Sequence, residues 1–223
     1  MERELEHAKR RLLEHLAREI SDKRVLSAMA RVPREAFIPK ASIHLAYEDI
    51  PLPIGREQTI SQPIIVAMMT AALAAKETDS VLEIGTGSGY QAAVLSLLSR
   101  RVITVERFPE LAERAEGLLR RLGYDNVAVR PAGEVLGCPE EAPFDGIMVT
   151  AGAPRLPRVL LDQMADGGRL VIPVGSQREQ DLLLVKREED GYTVKSLGPC
   201  RFVPLVGRGA WPQGETNGYE PFL

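Results

Sequence analysis

The sequence is poor in the residues that mark metal, redox or nucleic-acid chemistry. It has only two cysteines, Cys138 and Cys200, and three histidines, His7, His15 and His44, in 223 residues. Two cysteines so far apart make neither a disulfide framework nor a zinc site, and each reads as a free thiol. No histidine has a second ligand at metal spacing, so no metal site is expected. Lys and Arg (28) are mixed with Asp and Glu (31) along the chain for a net charge of −3. Without a basic block, nucleic acid is not an expected partner. The longest apolar run, Ile64–Ala75, has 12 residues and ends at Lys76, which suits a buried helix and not a bilayer span. The N-terminal MERELEHAKRRLLEHLAREI is charged and helical in period, unlike a secretory signal. No membrane partner and a cytoplasmic address are expected. No heptad pattern or sustained apolar stripe signals self-association, and a monomer is expected.

What is present is ordinary in bulk and specific in pattern. Hydrophobic residues make up 44% and charged residues 26%, as in soluble globular proteins. The length suits one α/β domain with room for a small appended region. Leu5, Leu12, Leu13, Leu16 and Ile20 mark one face of an opening helix. Ser21-Asp22 then caps a second helix through Val25, Leu26 and Met29, which stops before Pro33. Prolines at 33, 39, 51, 53 and 63 predict extended, ordered loop over residues 33–63. A loop of that length in a compact domain usually serves function. Pro63 opens the Ile64–Ala75 helix.

From residue 79 the pattern alternates. Strands are predicted at Val81–Ile84, Val102–Val105, Val127–Arg130, Gly146–Val149 and Gly168–Ile172. Helices are predicted at 90–99, Glu110–Leu122 and Leu156–Met164. Such alternation implies a doubly wound α/β sheet. Leu182–Lys186 and Tyr192–Ser196 flank Arg-Glu-Glu-Asp-Gly and read as a hairpin, which makes the sheet mixed. The division expected is helices and a functional loop over 1–78, a ligand-binding core over 79–211, and a polar, loose tail over 212–223.

The strongest local signal is Val81-Leu82-Glu83-Ile84-Gly85-Thr86-Gly87-Ser88-Gly89-Tyr90. A buried strand ends in an acid, and glycines at alternate positions lead into a helix. Glycine lets the backbone approach a ligand closely, and the helix start offers free N–H groups. The spacing does not fit the dinucleotide fingerprint, because the sixth position counted from Gly85 is Tyr90. Glu-x-Gly-x-Gly-x-Gly instead resembles the first motif of class I S-adenosylmethionine-dependent methyltransferases. Gly85, Thr86, Gly87, Ser88 and Gly89 are therefore expected at the cofactor. Glu106, ending the next strand, can accept from both ribose hydroxyls or stand as a solvated acid. Glu83 can face the methionine ammonium, directly or through water, or brace the loop.

A longer ordered series follows. It comprises Val32-Pro33-Arg34-Glu35-Ala36-Phe37-Ile38-Pro39; Ala46-Tyr47-Glu48-Asp49 with Pro51-Leu52-Pro53-Ile54-Gly55; and Gln58-Thr59-Ile60-Ser61-Gln62-Pro63. After the glycine loop come Gly167-Gly168-Arg169-Leu170-Val171-Ile172-Pro173-Val174-Gly175 and Arg201-Phe202-Val203-Pro204-Leu205-Val206-Gly207. From about residue 31 to residue 207 the chain resembles the protein-L-isoaspartate O-methyltransferase family. The resemblance implies methyl transfer from S-adenosyl-L-methionine to the free carboxylate of isoaspartyl residues in damaged peptides and proteins, leaving S-adenosyl-L-homocysteine. It implies a catalytic position for Ser61, with Thr59, Ile60 and Val203 at the substrate. Ser61 could also cap the following helix, and Val203 could be a core strand residue.

No Ser-His-Asp set is apparent, and the implied reaction needs none. A carboxylate of pKa about 4 is already ionised near pH 7. One departure from the family stands out. Where an Asp-Gly pair usually follows the third strand and reads the adenine amino group, this chain has Ala132-Gly133-Glu134. Glu134 is expected either at the adenine edge or as a solvated turn residue. Two rival readings remain: a methyltransferase of the same fold acting on a small molecule or another group, and a cofactor-binding homologue with little turnover.

Overall fold

The computed structural model describes residues 2–212. The tail beyond residue 212, read from sequence as loose, lies outside them. Two helices open the chain, α1 (Glu2–Glu19) and α2 (Lys23–Arg31). Leu12, Leu16 and Ile20 are buried at a spacing of four, so α1 packs by one face. Asp22 caps α2 by accepting from the Arg24 N–H at 2.9 Å.

Residues 33–63 hold more structure than the predicted extended loop. They contain two 3-10 turns, Arg34–Phe37 and Lys40–Leu45, and a hairpin of β1 (Leu52–Gly55) and β2 (Gln58–Ile60). Pro33 and Pro39 each stand at the start of a 3-10 turn, where a missing N–H is harmless. The hairpin turns through Arg56 and Glu57, both at positive φ (54° and 57°). That is the conformation a two-residue hairpin loop requires, and it ordinarily favours Asn or Gly. The apolar helix α3 (Pro63–Leu73) follows, with proline in its first turn as expected.

The core then alternates: β3 (Ser80–Ile84), α4 (Tyr90–Ser96), β4 (Arg101–Glu106), α5 (Pro109–Arg121), β5 (Val127–Pro131), β6 (Phe144–Val149), α6 (Arg158–Leu161) and β7 (Met164–Gly175). The antiparallel strands β8 (Gln180–Glu188) and β9 (Gly191–Cys200) complete the chain's only seven-stranded sheet among the described residues. Its order is β5-β4-β3-β6-β7-β8-β9, parallel from β5 to β7. The hairpin is thus present and longer than predicted. The helix predicted over Leu156–Met164 shrinks to four residues. Pro157 precedes it, and Met164 already pairs with Phe144 inside the sheet.

Alternation along the strands separates two cores. Val81, Val102, Met148 and Val171 face α1 to α5 and join one apolar cluster with Leu16, Ile54 and Leu73. Leu82, Ile103, Ile147 and Leu170 face the other side, which is covered by α6 and by loops carrying Leu136, Cys138 and Leu205. The chain runs from β3 to β4 on one side and reaches β6 on the other. The crevice at the C-terminal ends of these strands is therefore a topological switch point, where open α/β sheets bind ligands. Among the described residues no helix is long and apolar enough to cross a membrane.

Candidate active site

The crevice is built on the turn that leaves β3. Gly85 has φ +100°, and a Cβ there would meet the Thr150 hydroxyl at 2.4 Å. Only glycine allows that approach. Thr150, at the end of β6, donates to the carbonyls of Ile84 (3.0 Å) and Gly85 (2.8 Å). From β4, Glu106 reaches across the crevice. One carboxylate oxygen accepts from the Gly87 N–H at 2.8 Å and the other from the Phe108 N–H at 3.0 Å. The acid that ends β4 therefore fixes the glycine loop, and each oxygen keeps a lone pair for a further donor.

Glu83 lies deeper than a position at the crevice mouth. It is fully buried and sits in register with Thr104 on β4, whose hydroxyl donates to it at 2.5 Å. Thr104 and Thr86 are in turn 2.7 Å apart, which links the acid to the glycine loop. The other carboxylate oxygen of Glu83 is buried without a partner among the described residues. Burial pushes its pKa up to about 8; the Thr104 hydrogen bond opposes this and the Glu106 charge adds to it.

Two contiguous cavities share Thr59, Gly85, Gly87 and Thr150. The outer one is lined by Glu106, Phe108, Glu134 and Val203 among others. The inner one brings Ser61, Ile60, Glu83, Thr86 and Ser88 together. Of the residues singled out from sequence, Gly89 lines neither. It starts α4 and backs onto Leu119 and Ala115 of α5. Glu134 is exposed at the rim beside Ala132 and Gly133.

Ser61 does not cap α3. The N-cap residue is Gln62, which makes no side-chain capping bond. Asp49 does that work from a distance, accepting from the Ile64 N–H at 2.8 Å and from the Gln62 amide at 3.1 Å. The Ser61 hydroxyl is thereby left to the inner cavity. Val203 is half-buried, and its carbonyl accepts from the Gly152 N–H at 2.7 Å while Leu205 N–H returns a bond to Gly152 at 2.8 Å. The segment is pinned further by buried Gln180, whose amide oxygen accepts from the Phe202 N–H at 2.7 Å.

Asp49, Thr104, Thr150 and Gln180 escaped the sequence reading. Thr104 carried a usable signal, since it occupies the strand position two before Glu106 and so shares its face. Gln180 carried none, because its value depends on a carbonyl–amide ladder made by distant segments.

Residues 7–210 match the protein family described as protein-L-isoaspartate(D-aspartate) O-methyltransferase. A relative from Syntrophobacter fumaroxidans, named protein-L-isoaspartate O-methyltransferase 1, is 54% identical over 196 residues, 88% of this chain and 92% of the relative. A solved protein-L-isoaspartate O-methyltransferase superposes with a TM-score of 0.81 at 30% identity, over 89% of this chain and 66% of that longer one. A structure from Plasmodium falciparum, named for the same activity and in complex with S-adenosyl-L-homocysteine, superposes with a TM-score of 0.79 at 28% identity, over 90% of this chain and 99% of that one. This chain belongs to the protein-L-isoaspartate(D-aspartate) O-methyltransferase family.

Proposed function

We infer that the protein uses S-adenosyl-L-methionine to methylate the free carboxylate of L-isoaspartyl residues in damaged peptides and proteins, the opening step of their repair. In a chain of this family, the observation that carries the reading is the Thr59–Ser61 segment, the end of β2 and the residue after it, lining an inner cavity that shares its walls with the glycine-loop crevice.

The residues fit the cofactor. The outer cavity joins apolar side chains such as Val105, Phe108 and Leu205 with a few polar groups, the make-up of a small-molecule site. Gly85 and Gly87 keep one wall free of side chains. One buried oxygen of Glu83 has no partner among the described residues and is left for a polar group of the ligand. We propose that Glu106 holds the ribose hydroxyls while it grips the loop, that Glu83 faces the ammonium group, and that Thr86, Ser88 and the loop amides complete the wall. Gly89 would act from behind, by starting α4. When bound, the cofactor supplies an electrophilic methyl on a positively charged sulfur.

The chain's own task is position and dryness. The substrate carboxylate is ionised without a general base. Its charge is lost as the methyl is transferred, so water opposes the reaction and must be excluded. We propose that residues 1–78 supply the cover over the 79–211 core, with Ser61 donating a hydrogen bond to the carboxylate. Thr59, Ile60 and the Val203 backbone would hold the peptide. An isoaspartyl linkage adds a methylene to the main chain and shifts the carboxylate. A site fixed to within about an ångström can reject the normal linkage on position alone.

The test is methyl transfer to matched isoaspartyl and aspartyl peptides. Transfer to the first and almost none to the second supports the reading. Equal transfer to both would refute it and leave a general carboxyl methyltransferase, and transfer to neither by a protein that binds S-adenosyl-L-homocysteine would refute it and leave a methyltransferase of another substrate or a binding module. A cytoplasmic monomer with no nucleic-acid or membrane partner belongs to the same proposal, tested by light scattering and cell fractionation.

A further inference from the structure

Arg34 is the largest of the fully buried side chains, with none of its surface exposed. It stands in the first 3-10 turn. Its Nε donates to the Ala46 carbonyl at 2.9 Å and its Nη2 to the Ser61 carbonyl at 2.9 Å. Its guanidinium carbon lies 4.9 Å from the centre of the Tyr90 ring, which Phe37 meets edge-on. Its Nη1 is buried with no hydrogen-bond partner among the described residues. The guanidinium forms no ion pair among them either. A cation held by two carbonyl dipoles and one aromatic face, with only the Asp49 charge nearby to favour it, is an expensive way to fill a core. Packing does not require it, because an apolar side chain of similar length would fill the same space.

What an apolar side chain could not do is hold two carbonyls at a fixed separation. A planar guanidinium carries donors in a rigid fork, whereas lysine offers one mobile point charge. The two carbonyls belong to segments far apart in sequence, and one of them is the carbonyl of Ser61 itself. On the other side of the same turn, Asp49 holds Gln62 and Ile64. The chain at Ser61 is thus held at the Ser61 carbonyl and at the residues that follow, while no hydrogen bond among the described residues engages the Ser61 hydroxyl.

We propose that Arg34 is a positioning residue for Ser61: its guanidinium ties the Ser61 carbonyl to the Ala46 carbonyl and so sets where the Ser61 hydroxyl lies in the inner cavity. The inference rests on the catalytic reading of Ser61 given above. It makes Arg34 an indirect contributor to turnover with little part in holding the cofactor, whose crevice it does not line.

The experiment compares four proteins, the parent, Arg34→Lys, Ser61→Ala and the double variant. Each is measured for steady-state methylation of an isoaspartyl peptide, for S-adenosyl-L-homocysteine affinity by calorimetry, and for thermal unfolding. Arg34→Lys should lower kcat about tenfold or more while the calorimetric Kd moves by less than about twofold. The double variant should turn over within about twofold of Ser61→Ala alone, because a hydroxyl already removed cannot be misplaced. If the two losses instead multiply, or if affinity falls in step with kcat, Arg34 is a general structural residue and the proposal fails while the Ser61 reading stands. If Ser61→Ala turns over normally, the Ser61 reading fails and takes the proposal with it. Arg34→Gln, which removes the charge and keeps a donor, replaces Arg34→Lys if that variant does not fold.

Discussion

The two ends of the crevice are made differently. At the inner end, Glu83, Thr86, Thr104 and Tyr90 are buried, and the Ser61 turn is gripped by side chains from two other segments. At the outer end Ala132, Gly133 and Glu134 are all exposed, and the segment is tied to β4 by one bond, from the Ala132 N–H to the Glu106 carbonyl at 2.8 Å. The contrast follows the chemistry proposed for each end. A displacement of one ångström at the reacting atoms can cost orders of magnitude in rate. A base edge read by one or two hydrogen bonds tolerates looser construction, since each is worth only about 0.5–1.5 kcal/mol net. Fixed polar groups are therefore concentrated where methyl transfer would occur.

The largest effect expected concerns the dryness of the inner end. The Glu83 pKa is raised from an ordinary 4.5 to about 8 in the folded protein. Below the unfolded value the carboxyl is protonated in both states, and its contribution to stability is complete. Above it the unfolded chain releases the proton while the folded chain retains it. Stability should therefore decline as pH rises from about 4.5 to about 8, by roughly a few kcal/mol. Glu83→Gln should flatten that slope. Chemical denaturation of both proteins across this range checks it, and parallel slopes would mean that Glu83 is ionised in the fold and the inner end is wet.

Next in size is Glu106, which spans the two ends. Glu106→Ala removes the acceptor of the Gly87 and Phe108 amides and the proposed ribose contact together. It should weaken S-adenosyl-L-homocysteine binding by about 1–3 kcal/mol, the scale of hydrogen bonds to a charged group. Calorimetry showing unchanged affinity, or NAD bound as well, would break the assignment. Ser61→Ala should do the reverse, lowering turnover about tenfold with little effect on that affinity. Loss of thermal stability with normal turnover per folded molecule would make Ser61 a structural residue.

How much of this was legible in sequence depended on how local the cause was. The strands and turns of the core were readable because β3, β4, β6 and β7 each carry a short run rich in buried apolar residues and Gly85 marks a turn that only glycine can make. The hairpin β1–β2 was hidden because its turn, Arg56-Glu57, lacks the residues that usually announce positive φ. The 3-10 turns fell inside a run of prolines that discourages helix but permits one tight turn. At the site, Glu83, Glu106 and Ser61 were visible as residue types beside a glycine loop. Their partner Asp49 was not, because it acts through a contact between segments that only the fold brings together, whereas Thr104 could have been found from its place on the same strand face as Glu106. The depth of Glu83 was missed for the same reason, since a strand-end acid looks alike whether buried or exposed.

The smallest effect is expected at the outer end, where the family's usual aspartate is replaced by Gly133. We propose that exposed Glu134 reads the adenine amino group, and exposure should keep its contribution below about 1 kcal/mol. The measurement compares S-adenosyl-L-homocysteine with its inosine analogue, which lacks that amino group. Glu134→Ala should lose most of the preference for the adenine form. Glu134→Gln should keep part of it, because the amide oxygen still accepts. Gly133→Asp sharpens the test. A Cβ at Gly133 would have as its nearest neighbour the Val135 carbonyl at 3.9 Å, an ordinary contact, and the backbone there is not left-handed. The variant should therefore fold, and an acceptor on the shorter, less mobile side chain should raise the adenine preference above that of the parent. If the Glu134 variants discriminate as well as the parent and Gly133→Asp adds nothing, the base is read by backbone carbonyls of the 132–135 turn. In that event the outer end is as fixed as the inner one, and the contrast between them fails.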